Sequence, residues 1–252
     1  MDLGQRLFGM TAGARRYWYG DGERTPWVRR ALAVVFALLV PAPIILILIF
    51  RFVPIPGTPQ MLFSLVTGHG AHYAWRGSDS ISPALGRAVI SSEDQRFCSH
   101  HGFDWKNIDE AVRQHERHPR KQLRGASTIS QQTARSLFLL PVRSWIRKGM
   151  EAYLTVLLEA LWPKERILTV YLNVVDWGNG NFGAEAAAQA YFHEPAAAIS
   201  RTQAARLAAV LPDPSRWQAA RPGPYVAART HALGTQMQDV AAGGLDWCVR
   251  RK

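Results

Sequence analysis

The sequence predicts a mainly α-helical domain carried behind a single membrane-spanning helix, and three observations lead there. Residues 31–50 (ALAVVFALLVPAPIILILIF) run for twenty positions without a charge, enough at about 1.5 Å per residue to cross a hydrocarbon layer of about 30 Å. Beyond them apolar residues recur mostly at helical spacing, with no convincing alternating strand. The length of 252 residues leaves room for one sizeable domain besides that helix, since domains usually hold about 100–200 residues.

Pro41 and Pro43 fall in mid-span and argue against a straight rod, yet membrane helices tolerate proline where the freed carbonyls find other partners. The rival reading is a cleavable signal peptide. Against it, the apolar run starts late, exceeds a usual signal core and lacks a small-residue cleavage pattern before Arg51. A retained anchor is expected. Arg15, Arg16, Arg24, Arg29 and Arg30 precede the span and only Arg51 follows it before Arg76, which sets the N-terminus in the cytoplasm by the positive-inside bias. The expected layout is a cytoplasmic segment at 1–30, the transmembrane helix at 31–53, a linker leading into the domain at 54–80 and the extracytoplasmic domain at 81–252. Prolines in VPIPGTP at 53–59 disfavour helix and stiffen the linker.

Within the domain, residues 144–162 place Ile146, Met150, Tyr153, Leu154, Leu157 and Leu161 on one helical face. Thr128 with Gln131 and Ser200 with Gln203 have capping-box spacing, and Pro163 is suited to open the helix through KERILTVYLN. Gly178, Gly180 and Gly183 mark a turn; an Ala-rich helix follows from about Ala184, and Pro212 with Pro214 closes another at 202–211. The run HERHPRKQLRG at 115–125 reads as a solvated loop.

A net charge of +11 normally suggests nucleic acid or an anionic surface. The expected topology excludes most nucleic acid, so the anion should be extracytoplasmic. After Phe52 the chain carries 23 Lys and Arg against 16 Asp and Glu, a surplus of seven, and residues 106–148, with ten against three, account for all of it. The only two cysteines, Cys98 and Cys248, are too few for a disulfide framework or a thiolate zinc site. An oxidising compartment permits them to pair, and sequence leaves that pairing open.

Residues 91–105 (SSEDQRFCSHHGFDW) gather Glu93, Asp94, His100 and His101. A metal site, a helix-end solvation cluster and an acid/base centre compete for that stretch. Metal is the weakest reading, because no HExxH-like spacing supplies a third ligand. In GASTISQQTARSLFLL at 125–140, Ser127, Thr128, Gln131, Gln132 and Arg135 surround a helix start. Free N–H groups there suit a phosphate or pyrophosphate as well as they suit ordinary N-capping. Arg147 and Lys148 lie four and three residues before Glu151 and can meet it on one helix surface. Glu151 should sit at the rim of that helix's buried stripe, where carboxylates tend to be paired or functional. Glu159 is expected in a structural ion pair with Lys164 or Arg166.

Taken together, these residues resemble glycosyltransferase family 51, the monofunctional peptidoglycan glycosyltransferases. That pattern is a Glu-Asp opening with Phe and His, then Gly-x-Ser-Thr-x-x-Gln-Gln, then Arg-Lys-x-x-Glu, continuing here through RILTVYLN at 166–173 and GNGNFGAEAAAQAYF at 178–192. The likeness covers roughly residues 81–215. It implies a lysozyme-like, mostly helical domain that polymerises lipid II into glycan strands, with no transpeptidase region before the chain ends at Lys252.

The resemblance also assigns roles. Glu93 matches the general base, with Asp94 as its electrostatic neighbour; like charges resist joint ionisation and would raise the pKa of the base. Thr128, Gln132, Arg135, Arg147, Lys148 and Ser127 are the candidates for binding the pyrophosphate leaving group. Glu151 matches a second essential carboxylate, which either organises those cations or holds a bridging Mg2+ or Mn2+. Phe97, His100, Gly102 and Gly125 are motif residues that shape the site. The chain departs from the pattern at Arg135, where lysine is common, and at Ser136, where asparagine is common; arginine keeps the charge but brings a fork in place of a point ammonium. Implied partners are lipid II, the growing glycan chain, the bilayer and cell-wall synthesis or division proteins, at a bacterial inner membrane with the catalytic domain in the periplasm. Phe138, Leu139, Leu140 and Trp145, beside Arg143 and Arg147, are candidates for a membrane-surface patch. A lytic glycan-cleaving enzyme and a non-catalytic scaffold are the rival functions.

Overall fold

The computed structural model describes residues 26–119, 125–142 and 144–250. Arg15, Arg16 and Arg24, Arg143, and the 120–124 part of the charged loop lie outside the described residues. The chain divides into two compact units, one ending at Leu46 and one running on from Ile47.

In the first unit, α1 (Pro26–Leu39) is followed by the start of α2 (Pro41–Phe50), and together they supply an apolar stretch, Trp27–Phe50, long enough to span a membrane. A turn at Val40 separates the two helices. Pro41 explains it, since proline has no N–H to donate and its ring crowds the preceding turn. Phe36, Leu38 and Ile45 are 63%, 63% and 54% exposed, as a lipid-facing helix requires.

The second unit is helical. It contains α3 (Pro59–Val66), α4 (Pro83–Glu93), α5 (Trp105–Arg117), α6 (Ile129–Phe138), α7 (Trp145–Leu161), α8 (Lys164–Val174), α9 (Ala184–Phe192), α10 (Arg201–Val210) and α11 (Pro224–Ala242). Two-residue strands, β1 (His72–Tyr73) and β2 (Asn181–Phe182), pair in parallel. The span 54–80, read from sequence as a linker into the domain, therefore holds a helix and a strand. Thr58 caps α3 by accepting from the Met61 N–H at 3.2 Å, and Pro59 opens it.

Two helical groups build the body. In one, α6 packs against α7, α8 and α3; in the other, α4 packs against α10 and α11. Phe97, Ile129, Leu158, Ile167, Tyr171, Trp177 and Phe182 are fully or almost fully buried between them, each worth about 1.5–3 kcal/mol of burial. Both capping boxes form, at Thr128/Gln131 and Ser200/Gln203. Pro163 is the N-cap of α8, α9 starts at Ala184 as expected, and α10 (Arg201–Val210) lies one residue before the expected 202–211 at both ends. Gly180 and Gly183 have φ of +71° and +85°, and a Cβ at either would lie 2.4 Å from the carbonyl oxygen of His69 or Asn173. Only glycine fits there.

The face of α7 needs correction. Glu151, Leu154, Thr155 and Leu158 form its buried stripe, whereas Ile146 is 82% exposed beside Trp145 at 91%. The first turn of α7 stands clear of the body, so its apolar side chains find nothing to pack on. Cys98 and Cys248 are joined in a disulfide that ties the short 3-10 turn Phe97–Ser99 to the one at Trp247–Val249.

Candidate active site

Glu93 is the last residue of α4 and half-buried. Both of its carboxylate oxygens receive hydrogen bonds: Ser92 Oγ donates to Oε1 at 2.9 Å, and Gln132 Nε2 of α6 donates to Oε2 at 3.1 Å. Each donor is oriented from behind. Arg229 Nη2 on α11 donates to Ser92 Oγ at 3.0 Å, and the Tyr171 hydroxyl on α8 donates to Gln132 Oε1 at 3.1 Å. Complete burial, followed by the nearby Glu93 charge, pushes the Tyr171 pKa well above its ordinary value, against the opposing Arg135. A carboxylate accepts, so the Gln132 NH2 faces Glu93 and its Oε1 is left to accept from the Tyr171 hydroxyl. The carboxylate is thus built in as an acceptor. Ser92, Tyr171 and Arg229 were missed by sequence reasoning; Ser92 adjoins the acidic pair and Tyr171 lies within RILTVYLN, but Arg229 carries no local signal.

Asp94, its neighbour in sequence, faces elsewhere. It is 6% exposed, accepts from His100 Nε2 at 2.9 and 3.0 Å, and accepts from the Ile129 N–H at 3.0 Å. The anion at the N-terminus of α6 is therefore the protein's own carboxylate. Thr128 is likewise used internally: at 1% exposed, its hydroxyl donates to the Gly102 carbonyl at 2.6 Å and accepts from the Gln131 N–H at 3.2 Å. Those bonds correct the expectation of Thr128 as a pyrophosphate ligand, since its hydroxyl is committed to capping. Gln132 is turned to Glu93 and Tyr171. Ser127 is half-buried and Gly125 exposed with open space around it.

Gly102, at φ +88°, brings the loop against α7, where a Cβ would meet Thr155 Cγ2 at 2.9 Å. Phe97 is fully buried, edge-on to His100, with Lys164 Nζ 4.5 Å from its ring centre. Lys164 also pairs with Glu159 at 2.7 Å, the structural ion pair expected for that residue.

One turn before Thr155, Glu151 is 1% exposed. Arg147 Nη1 reaches its Oε2 at 2.8 Å and Lys148 Nζ bonds its Oε1. The two cations are thereby gathered on one carboxylate, with Lys148 reaching solvent. A buried carboxylate needs such partners, and removing them would leave a costly charge. Each oxygen of Glu151 is bonded to one cation, which fits the role of organising Arg147 and Lys148. Among the described residues no three His, Cys, Asp or Glu side chains cluster as metal ligands. Arg135, half-buried on α6, acts electrostatically on Tyr171.

A separate cavity of about 320 Å³ lies among Arg87, Leu168, Leu172, Asp246, Val249 and Arg250. None of the candidate site residues borders it.

Comparison with known proteins bears on this arrangement: the transglycosylase family model matches residues 61–238. The chain belongs to the transglycosylase family. Curated transglycosylases extend the likeness over nearly the whole chain. The biosynthetic peptidoglycan transglycosylase of Caulobacter vibrioides is 46% identical across 88% of this chain and 96% of its own. Those of Rhodospirillum centenum and Pseudomonas aeruginosa are 48% and 47% identical, covering 89% and 83% of this chain and 96% and 91% of theirs. The transglycosylase match takes in α3, ahead of the motifs that first carried the resemblance.

Proposed function

We propose that this transglycosylase polymerises lipid II, joining C1 of a donor N-acetylmuramic acid to the C4 hydroxyl of an acceptor N-acetylglucosamine with inversion. The observation that carries this reading is the division of labour in the site. Glu93 is a carboxylate fed only by donors, while Arg147 and Lys148 are held on the buried Glu151. In the reaction Glu93 takes the proton of O4 as O4 attacks C1. The bond from C1 to the pyrophosphate oxygen breaks, and polyprenyl pyrophosphate leaves. Arg147 and Lys148 meet the charge that builds on it, already oriented before the bond breaks, and Arg135 is a third cation proposed for it. Glu151 contributes by fixing two of those cations. Hydrolysis by a lytic enzyme has no comparable use for them.

The anchor is the Trp27–Phe50 helix, in a bacterial inner membrane with the N-terminus cytoplasmic and the catalytic domain periplasmic. The disulfide between Cys98 and Cys248 supports this location, since such bonds persist in oxidising compartments. Leu140, Val142, Trp145 and Ile146 are 48%, 49%, 91% and 82% exposed, an apolar group suited to the bilayer surface. The substrates are lipid II and the growing strand; cell-wall synthesis or division proteins are further candidate partners, and nucleic acid is not.

Incubating the purified full chain with lipid II, and separately with preformed glycan, tests the reading. Polymer from the first and no change in the second are expected. Shortened glycan would favour the lytic enzyme, and no change in either the scaffold. Glu93→Gln should cut polymerisation by roughly 10²–10⁴-fold, the usual worth of a positioned base, with unchanged thermal unfolding. Undiminished product from the folded variant would remove Glu93 as base.

A further inference from the structure

The last turn of the apolar helix belongs to the same compact unit as the catalytic residues, and the contacts that hold it there are specific. Helix C-termini leave carbonyls without intrahelical partners, and where water is scarce near a bilayer, protein donors are the alternative; the Ile47 carbonyl, which already accepts from the Arg51 N–H at 3.0 Å, takes a second donor. Here Arg166 of α8 and Trp162, which ends α7, supply the donors. Arg166 Nε donates to the Phe50 carbonyl at 3.0 Å, and its Nη2 donates to the Phe50 and Val53 carbonyls. Trp162 Nε1 donates to the Ile47 carbonyl at 2.7 Å. In return Arg51 donates to the Leu161 carbonyl at the end of α7, and the Tyr73 hydroxyl donates to the Ile55 carbonyl.

The Arg166 guanidinium lies against two indoles, 5.0 Å from the Trp75 ring centre and 5.7 Å from that of Trp162. Arg166 and Tyr73 are both half-buried, and that burial lowers the Arg166 pKa and pushes the Tyr73 hydroxyl up to about 12. A planar fork can stack on the rings and donate to two carbonyls at once, which an ammonium cannot do. VPIPGTP leaves the membrane directly after this junction. Ile47 and Ile55, 0% and 1% exposed, hold the junction by apolar packing, which is non-directional; the clamp's hydrogen bonds give it a fixed orientation.

We propose that Arg166, with Trp162, is a positioning residue for the membrane substrate: it locks the end of the anchor to α8 so that the cleft is presented to a lipid-linked pyrophosphate at the bilayer surface. The inference rests on the lipid II reading above. It concerns presentation, not chemistry, because α8 is held independently by its buried Ile167, Val170, Leu172 and Val174. Tyr171 behind Gln132 therefore stays in place when Arg166 is lost. A substrate confined to the bilayer gains from a fixed geometry, since pre-oriented reactants avoid the entropy of finding each other; one diffusing in water gains little.

The test compares wild type, Arg166→Gln and Arg166→Lys as full chains in bilayers. Polymerisation is measured with full-chain lipid II in the same membrane and with a short-chain, water-soluble lipid II analogue. Mobility is read separately, from a nitroxide at Phe52, which is 78% exposed. Arg166→Gln should lose at least about tenfold on the membrane substrate, stay within about twofold on the soluble one, and release the label; Arg166→Lys should fall between. Equal loss on both substrates, no loss on either, or an equally immobile label in Arg166→Gln would overturn the proposal. Wild type that polymerised neither substrate would instead overturn the lipid II reading, while the label would still report on the clamp.

Discussion

At the scale of single residues, two adjacent acids acquire opposite tasks from what surrounds them. Glu93 is half-buried and fed by Ser92 and Gln132, whereas Asp94 is buried and spends its oxygens on His100 and the start of α6. The sequence marked both positions and could not divide them, because the start of α6 supplies a partner to each, Gln132 to Glu93 and the Ile129 N–H to Asp94, and α8 and α11 orient the Glu93 donors from far along the chain. Tyr171 is the informative one to change. Tyr171→Phe keeps the buried ring and removes only the donor that fixes the Gln132 amide. A loosely held Glu93 should then lower kcat by about tenfold, on the scale that small misplacements of reacting groups cost. KM and the unfolding temperature should change little. Steady-state polymerisation kinetics decide it, and an unaltered kcat would show that Gln132 holds its orientation without Tyr171.

At the scale of elements, local signals were legible and facing relations were not. Both capping boxes, the Pro163 start and the glycine turn depend on a few neighbouring residues, and they form as read. The α7 stripe depends on which neighbours the helix meets, so Ile146 was expected inside and lies outside. The start of α6 combines the two cases. Its N–H groups suited either capping or a pyrophosphate; Asp94 takes the Ile129 N–H, and Thr128 joins the helix to the Gly102 loop through one hydroxyl. Thr128→Ala removes the cap and leaves the Gly102 carbonyl without that donor. It should cost roughly 1–3 kcal/mol, lowering the unfolding temperature by roughly 2–12 °C for a chain of this size. Thr128→Ser restores the oxygen and should recover most of the loss. Calorimetry on the three proteins measures both steps.

At the scale of the whole molecule, the anchor was legible because twenty uncharged residues have few other uses, while the pairing of Cys98 with Cys248 depends on a closure no local pattern encodes. That bond joins positions 150 residues apart. It fixes the C-terminal turn beside the loop that carries Phe97 and His100, yet the loop has other supports: Phe97 is fully buried and His100 is bonded to Asp94. A cross-link closing so long a loop mainly restricts the unfolded chain, so its loss should be felt in stability before it is felt in the site. Reduction, or the Cys98→Ala/Cys248→Ala pair, should cost about 2–5 kcal/mol and lower the unfolding temperature by roughly 4–20 °C. Polymerisation measured well below that transition should stay within about twofold. A folded, reduced protein that had lost activity would mean that the disulfide holds the catalytic loop itself, and that the Asp94–His100 pair and the burial of Phe97 are insufficient to do so.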